Sequence, residues 1–128
     1  MLILTTVLSG CEDITGSGAL SGSRWRLDTW SASSLLPTDF TITARFDNGA
    51  IGGTSAVNIY SGTYSASDGR LSVRALSSTE MAGPEPAMRA ERIYLQLLLD
   101  ARRYDRTTER LVLRGESGNE LLGFRLEK

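Results

Sequence analysis

The residues whose types could support chemistry lie between Gly52 and Glu91. Asn58 carries an amide able to hydrogen-bond a ligand or partner. The same amide could instead satisfy backbone groups across a bulge beside Gly52 and Gly53. Tyr60 and Tyr64 share strand parity and so point to one face. They read as core rings with hydroxyls at the rim, or as a stacking platform. Ser61 and Gly62 stand between them. Thr79 reads as a loop hydrogen-bonder, Met81 as a core gap-filler, and Glu91 as the partner of a nearby Arg. Glycoside-type hydrolysis by Glu91 would need a second carboxylate within about 10 Å. The sequence names no convincing second acid, so the expected catalytic set is empty.

The elements that must position these residues follow from pattern. Residues 24–30 alternate, with Trp25 and Leu27 inward. Residues 40–46 alternate with Phe40, Ile42, Ala44 and Phe46 inward. Asp47-Asn48-Gly49 predicts a tight hairpin turn, because Asn-Gly tolerates positive φ at both central positions. Strands are predicted at 50–54, 58–65 and 71–76, the last with Leu71, Val73 and Ala75 inward, and Asp68-Gly69 supplies another turn. Pro86 opens a helix expected to run to about Arg103, with Ala87, Ala90, Tyr94, Leu97, Leu98 and Ala101 as its buried stripe. A hairpin over 111–114 and 120–126 closes the chain. The fold class is mostly β (α+β): an antiparallel meander with one helix before the last strands.

Bulk properties exclude several function classes. The chain has 128 residues and a net charge of -1, so no global field steers it to nucleic acid. It contains no His, which removes His-based acid–base chemistry and the Ser-His-Asp triad. With one Cys, neither an intrachain disulfide nor a thiolate zinc or iron–sulfur site can form. No cofactor or metal is expected. Of the fourteen basic residues only Lys128 is not Arg, which reads as codon bias, since the Arg residues are scattered along the chain.

The N-terminus reads as a targeting segment. Residues 1–10 are apolar and then small, and Leu8-Ser9-Gly10-Cys11 has the form of a bacterial lipoprotein cleavage box. Cys11 is the expected lipidation site. The segment lacks a basic n-region and is too short to span a bilayer as a helix, which suggests a start upstream of Met1. Residues 11–23 are rich in Gly and Ser and read as a flexible tether, leaving 24–128 as the folded domain.

These motifs, in this order, resemble the META domain family, which includes HslJ-type heat-inducible bacterial lipoproteins. The resemblance rests on Trp25-x-Leu27, Phe46-x-x-Gly49, Gly52 through Tyr64, Thr79-x-Met81 with Pro84, Met88 and Glu91, then Leu111-x-Leu113 and Phe124. It implies a lipocalin-like barrel or strongly curled sheet with one helix. It implies an envelope location and a stress-associated role, and no enzyme activity. Relatives usually carry Cys where this chain has Val57 and Gly83, and Arg where it has Glu80. Pairing of the two Cys positions in relatives would explain their joint loss here.

The expected function is that of a monomeric, non-enzymatic lipoprotein. Lipid on Cys11 would hold it to the membrane facing the periplasm, where it binds or scaffolds an envelope protein. A carrier of small apolar ligands is the alternative, and a carboxylate hydrolase the least favoured.

Overall fold

The computed structural model describes residues 20–32 and 34–127. Residues 1–19, with the expected signal segment, Cys11 and most of the tether, lie outside the described residues.

Eight antiparallel strands form a closed barrel in which each strand pairs with its neighbours in sequence. They are β1 (Ser23–Trp30), β2 (Thr43–Asp47), β3 (Ala50–Thr54), β4 (Ile59–Ser67), β5 (Arg70–Ser78), β6 (Arg103–Arg106), β7 (Arg110–Arg114) and β8 (Glu120–Leu126). Helix α1 (Glu85–Asp100) lies between β5 and β6. The ring closes by pairing the first strand with the last, Trp25 opposite Leu126 and Leu27 opposite Phe124. The mostly-β fold with one inserted helix is therefore as the sequence implied.

Alternation drives the assembly, since a strand that hides every second side chain can bury one face of the sheet. Trp25, Leu27, Ala44, Phe46, Ile51, Tyr60, Tyr64, Leu111, Leu113, Leu122 and Phe124 all turn into the barrel. Tight turns set the register. Asn48 and Gly49 have φ of 50° and 88°, and Asp68 and Gly69 have 55° and 81°, so both hairpins use the predicted positive-φ pair.

Several expectations are corrected. The fold starts before residue 24: Leu20 is fully buried, and the Gly22 N–H donates to the Phe46 carbonyl. β2 begins at Thr43 because a short 3-10 turn, Pro37–Asp39, precedes it; Phe40 is only half-buried, and Ile42 makes a lone bridge to Ser55. Ala75 faces outward, since a bulge in β5 puts it at a φ of 57° and shifts the register opposite Gly62. Gly62 fits that bulge, for a Cβ there would meet Leu76 at 2.7 Å.

The helix also ends early, at Asp100. The Arg102 N–H bonds to the Arg114 carbonyl at 2.8 Å, so the chain joins the sheet instead of adding a helical turn. The guanidinium of Arg102 caps the helix end, donating to the carbonyls of Leu99 at 2.7 Å and Ala101 at 3.0 Å. β6 was not legible in the sequence because only Tyr104 in it is apolar. β5 meets β6 at a single register pair, Arg70 opposite Arg103, and α1 packs against β5 and β8. Helix packing thus supplements strand pairing at this seam.

Candidate functional site

Glu91 is the hub of the motif residues. It projects from α1 beneath the loop joining β3 to β4 and is only 6% exposed. Its Oε1 accepts from the Ser55 hydroxyl at 3.0 Å, the Val57 N–H at 3.1 Å and the Asn58 N–H at 2.8 Å. Its Oε2 accepts from the Asn58 side-chain amide at 2.8 Å. Between Ser55 and Val57 the chain turns through Ala56, whose φ of 89° is left-handed. Successive N–H groups then converge on one carboxylate oxygen, an anion-binding concavity whose anion is part of the fold. The expected Glu91–Arg pair does not occur; the loop donors take the place of a guanidinium.

Asn58 is fully buried and uses all its hydrogen-bonding capacity. Its Nδ2 also donates to the Met81 carbonyl at 3.2 Å. Its Oδ1 accepts from the Thr79 hydroxyl at 2.8 Å and the Met81 N–H at 2.7 Å. A further bond, Ile59 N–H to the Thr79 hydroxyl at 3.2 Å, ties the β5–α1 linker to the start of β4. Met81 therefore contributes its backbone, while its side chain is 58% exposed and fills no core gap. The polar groups of the linker take the inward position and turn that side chain out.

Charge follows geometry at Glu91. Burial pushes its carboxyl up, but hydrogen bonds from the Asn58 side chain and backbone, Ser55 and Val57 outweigh burial and hold it below the usual carboxylate range. Such a group stays ionised at neutral pH and is a poor proton donor.

The tyrosines belong to the core. The Tyr60 hydroxyl sits 2.6 Å from that of Tyr94 and donates to the Thr43 carbonyl at 2.7 Å. It is buried inside the barrel, not at the rim as expected. Burial raises both phenols above their ordinary range, and for Tyr94 the neighbouring Tyr60 adds to the effect. Tyr64 packs edge-on against Phe46 with ring centroids 5.0 Å apart, and its buried hydroxyl has no hydrogen-bond partner among the described residues. Ser61 is exposed on the outer face of β4.

Asn58, Thr79, the Met81 backbone and Glu91 thus come together, whereas Tyr60 and Tyr64 serve a separate aromatic core. Sequence reasoning missed Ser55 and the N–H of Val57, because a backbone donor leaves no trace in residue type. It also missed the Tyr94 hydroxyl, which was placed only as part of an apolar stripe. Among the described residues no group of three acids or thiols could hold a metal ion, and no helix is long and apolar enough to cross a membrane.

Comparison with known proteins agrees with this architecture. The chain is similar to a protein from Burkholderia xenovorans solved by NMR, at 26% identity, a TM-score of 0.72, and coverage of 88% of this chain and 86% of that one. It shares its fold with a crystallised DUF4847 family protein from Bacteroides vulgatus, at 15% identity and a TM-score of 0.63, covering 91% of this chain and 96% of the other. No curated protein sequence matches. A family model described as the META domain matches residues 9–128, a span that contains the entire barrel and the Asn58–Glu91 network, and the chain belongs to the META domain family.

Proposed function

We propose that this protein is a lipid-anchored bacterial envelope protein whose META domain binds or scaffolds a partner without catalysis. The observation that carries the reading is saturation. The polar groups of the Asn58–Glu91 network are already engaged inside the fold: four donors serve Glu91, and the Asn58 amide makes all four of its bonds. A general acid–base must reach a substrate proton within hydrogen-bond distance, and these groups face one another instead. The motif holds two loops and a helix together, which suits a protein that presents a fixed surface.

The apolar-carrier reading is weaker, because Trp25, Phe46, Tyr60, Tyr94 and Phe124 fill the barrel interior. Anchoring rests on the cleavage-box residues ending at Cys11, and envelope location and stress association on the family resemblance. Metabolic labelling with a clickable fatty acid tests the anchor, comparing parent with Cys11→Ser in a gene extended to an upstream start. Label on the parent and none on the variant is the expected result. Absence of label from both would refute anchoring and move the partner search to soluble fractions.

A further inference from the structure

One end of the barrel is where the chain enters it, beside the turns that join β2 to β3, β4 to β5 and β6 to β7. Leu20 precedes β1 and is nevertheless fully buried, in the same core as Trp25, Phe46 and Tyr64. Three bonds fix this entry. The Ser23 hydroxyl donates to the Leu20 carbonyl and accepts from the Trp25 indole N–H at 2.7 Å. The Asn48 N–H, in the turn from β2 to β3, donates to the Ser21 hydroxyl at 2.9 Å. The chain is therefore already packed on the barrel at the first described residue.

Two polar groups at this end have capacity to spare. The Tyr64 N–H donates to the Gly49 carbonyl, which places Tyr64 beside the first of these turns. Tyr64 is only 7% exposed, yet its hydroxyl has no hydrogen-bond partner among the described residues. The half-buried Arg106 guanidinium lies 5.1 Å over the Trp25 ring, and its Nε donates only to the neighbouring Thr107 carbonyl at 3.3 Å. Asp47, Asp68 and Glu109 stand in or beside the turns at this end. Even so, no carboxylate among the described residues comes within ion-pair range of Arg106.

The stretch of chain nearest to these groups supplies what they lack. Glu12 and Asp13 carry carboxylates, Ile14 a large apolar side chain, and Thr15 and Ser17 hydroxyls. All of them precede Leu20 by no more than eight positions, at most about 29 Å of extended chain. The META domain match begins at residue 9, so the family pattern runs through this stretch instead of starting at the barrel. The Burkholderia xenovorans fold covers 88% of the 128 residues, about 113, whereas residues 20–127 number 108, so it too extends into the stretch. We propose that residues 12–19 fold back over this end of the barrel as a plug, with Ile14 against Trp25 and a carboxylate of Glu12 or Asp13 on Arg106. A segment joined to its seat acts at millimolar effective concentration, so contacts too weak to hold a separate peptide hold this one. The stretch that reads as a tether is then part of the domain. With lipid on Cys11 the domain would stand on the membrane by this end; that orientation rests on the anchored reading, and the docking does not.

The test uses the full chain carrying Cys11→Ser, so that no lipid contributes, and reads amide hydrogen exchange by NMR residue by residue. A free tether exchanges like an unstructured peptide. The docked stretch is expected to exchange roughly ten-fold or more slowly from Ile14 to Ala19. Arg106→Gln and Ile14→Ser should each restore free exchange there while Leu113 and Phe124 stay as protected as in the parent. Glu12→Lys/Asp13→Lys should do the same, and adding Arg106→Glu should bring the protection back. Ile14 and the two acids lie outside the barrel, so their variants report on docking even where a change at Arg106 disturbs the fold. Free exchange of residues 14–19 in the parent, or protection indifferent to every variant, overturns the proposal. So does protection confined to residues 2–8, since the apolar leader is then the occupant. Anchoring is read separately by the fatty-acid label, so either idea can fail alone.

Discussion

Glu91 shows how one side chain can hold several backbone segments. Removing it takes the acceptor from the N–H groups of Val57 and Asn58 and from one Asn58 amide proton, while the Ser55 hydroxyl keeps the Asn58 carbonyl at 3.0 Å, and each orphaned donor costs about 1–3 kcal/mol. Glu91→Ala should therefore lose about 3–5 kcal/mol, read from the shift in urea midpoint. Asn58→Ala should lose a comparable amount, and the double variant little more than the worse single one, because both break the same network. Additive losses would show that the two residues act independently.

The pH dependence has a definite sign. The Glu91 carboxyl is held below its ordinary value in the fold, so its contribution is complete above the usual carboxylate range near pH 4.3. It is lost as pH falls through the lower folded value. The stability gap between parent and Glu91→Gln should narrow from pH 5 downward; a gap unchanged by pH would contradict this account. Residue type alone could not reveal the network. Asn58 was legible as a buried hydrogen-bonder, but the acceptor for its loop lies more than thirty residues away on a helix, and two of that acceptor's donors, the Ser55 hydroxyl and the Val57 N–H, were not singled out in the sequence.

Among the elements, the loop from β3 to β4 and the linker from β5 to α1 lie side by side. A Cβ built on Gly83 would fall 3.6 Å from the Cβ of Val57, close to the mean of about 3.8 Å for disulfides. These are the two positions at which the family resemblance implies Cys in relatives. Val57→Cys/Gly83→Cys should thus form a bridge, and the loop it closes gives about 3.5 kcal/mol in the chain-entropy model. The expected readout is a higher Tm in the oxidised protein that disappears on reduction. Gly83→Cys alone should destabilise, because its Cβ would stand 2.9 Å from a Val57 methyl. Strands with clean alternation, such as β1 and β8, were legible from pattern. β6 was not, because a four-residue strand with one apolar side chain is defined by its neighbours' hydrogen bonds and not by its own composition.

In the molecule as a whole, α1 joins the barrel to its own core. Tyr94 and Leu98 are fully buried, and the Tyr94 ring lies 5.5 Å from Tyr60 and 6.5 Å from Phe124. The β5–β6 seam has one register pair flanked by the Leu71 N–H to Arg102 carbonyl and Tyr104 N–H to Gly69 carbonyl bonds, and α1 packs on β5 beside it. Leu98→Ala should cost about 2–5 kcal/mol, and near- and far-UV circular dichroism should report a single transition. Two separated transitions would mean that the helix melts off a barrel able to stand alone.

The pairing of β1 with β8 also bears on time. Among the described residues, the strand that completes the ring comes last along the chain, and its partner is the first strand. Contacts between the two ends of a chain are the slowest to form, since a long loop must close before they yield any stabilisation. A growing chain cannot close the barrel until Glu120–Leu126 has emerged. A chain cut before Glu120 leaves β1 and β7 each with a bare edge, exposed to pairing with other chains.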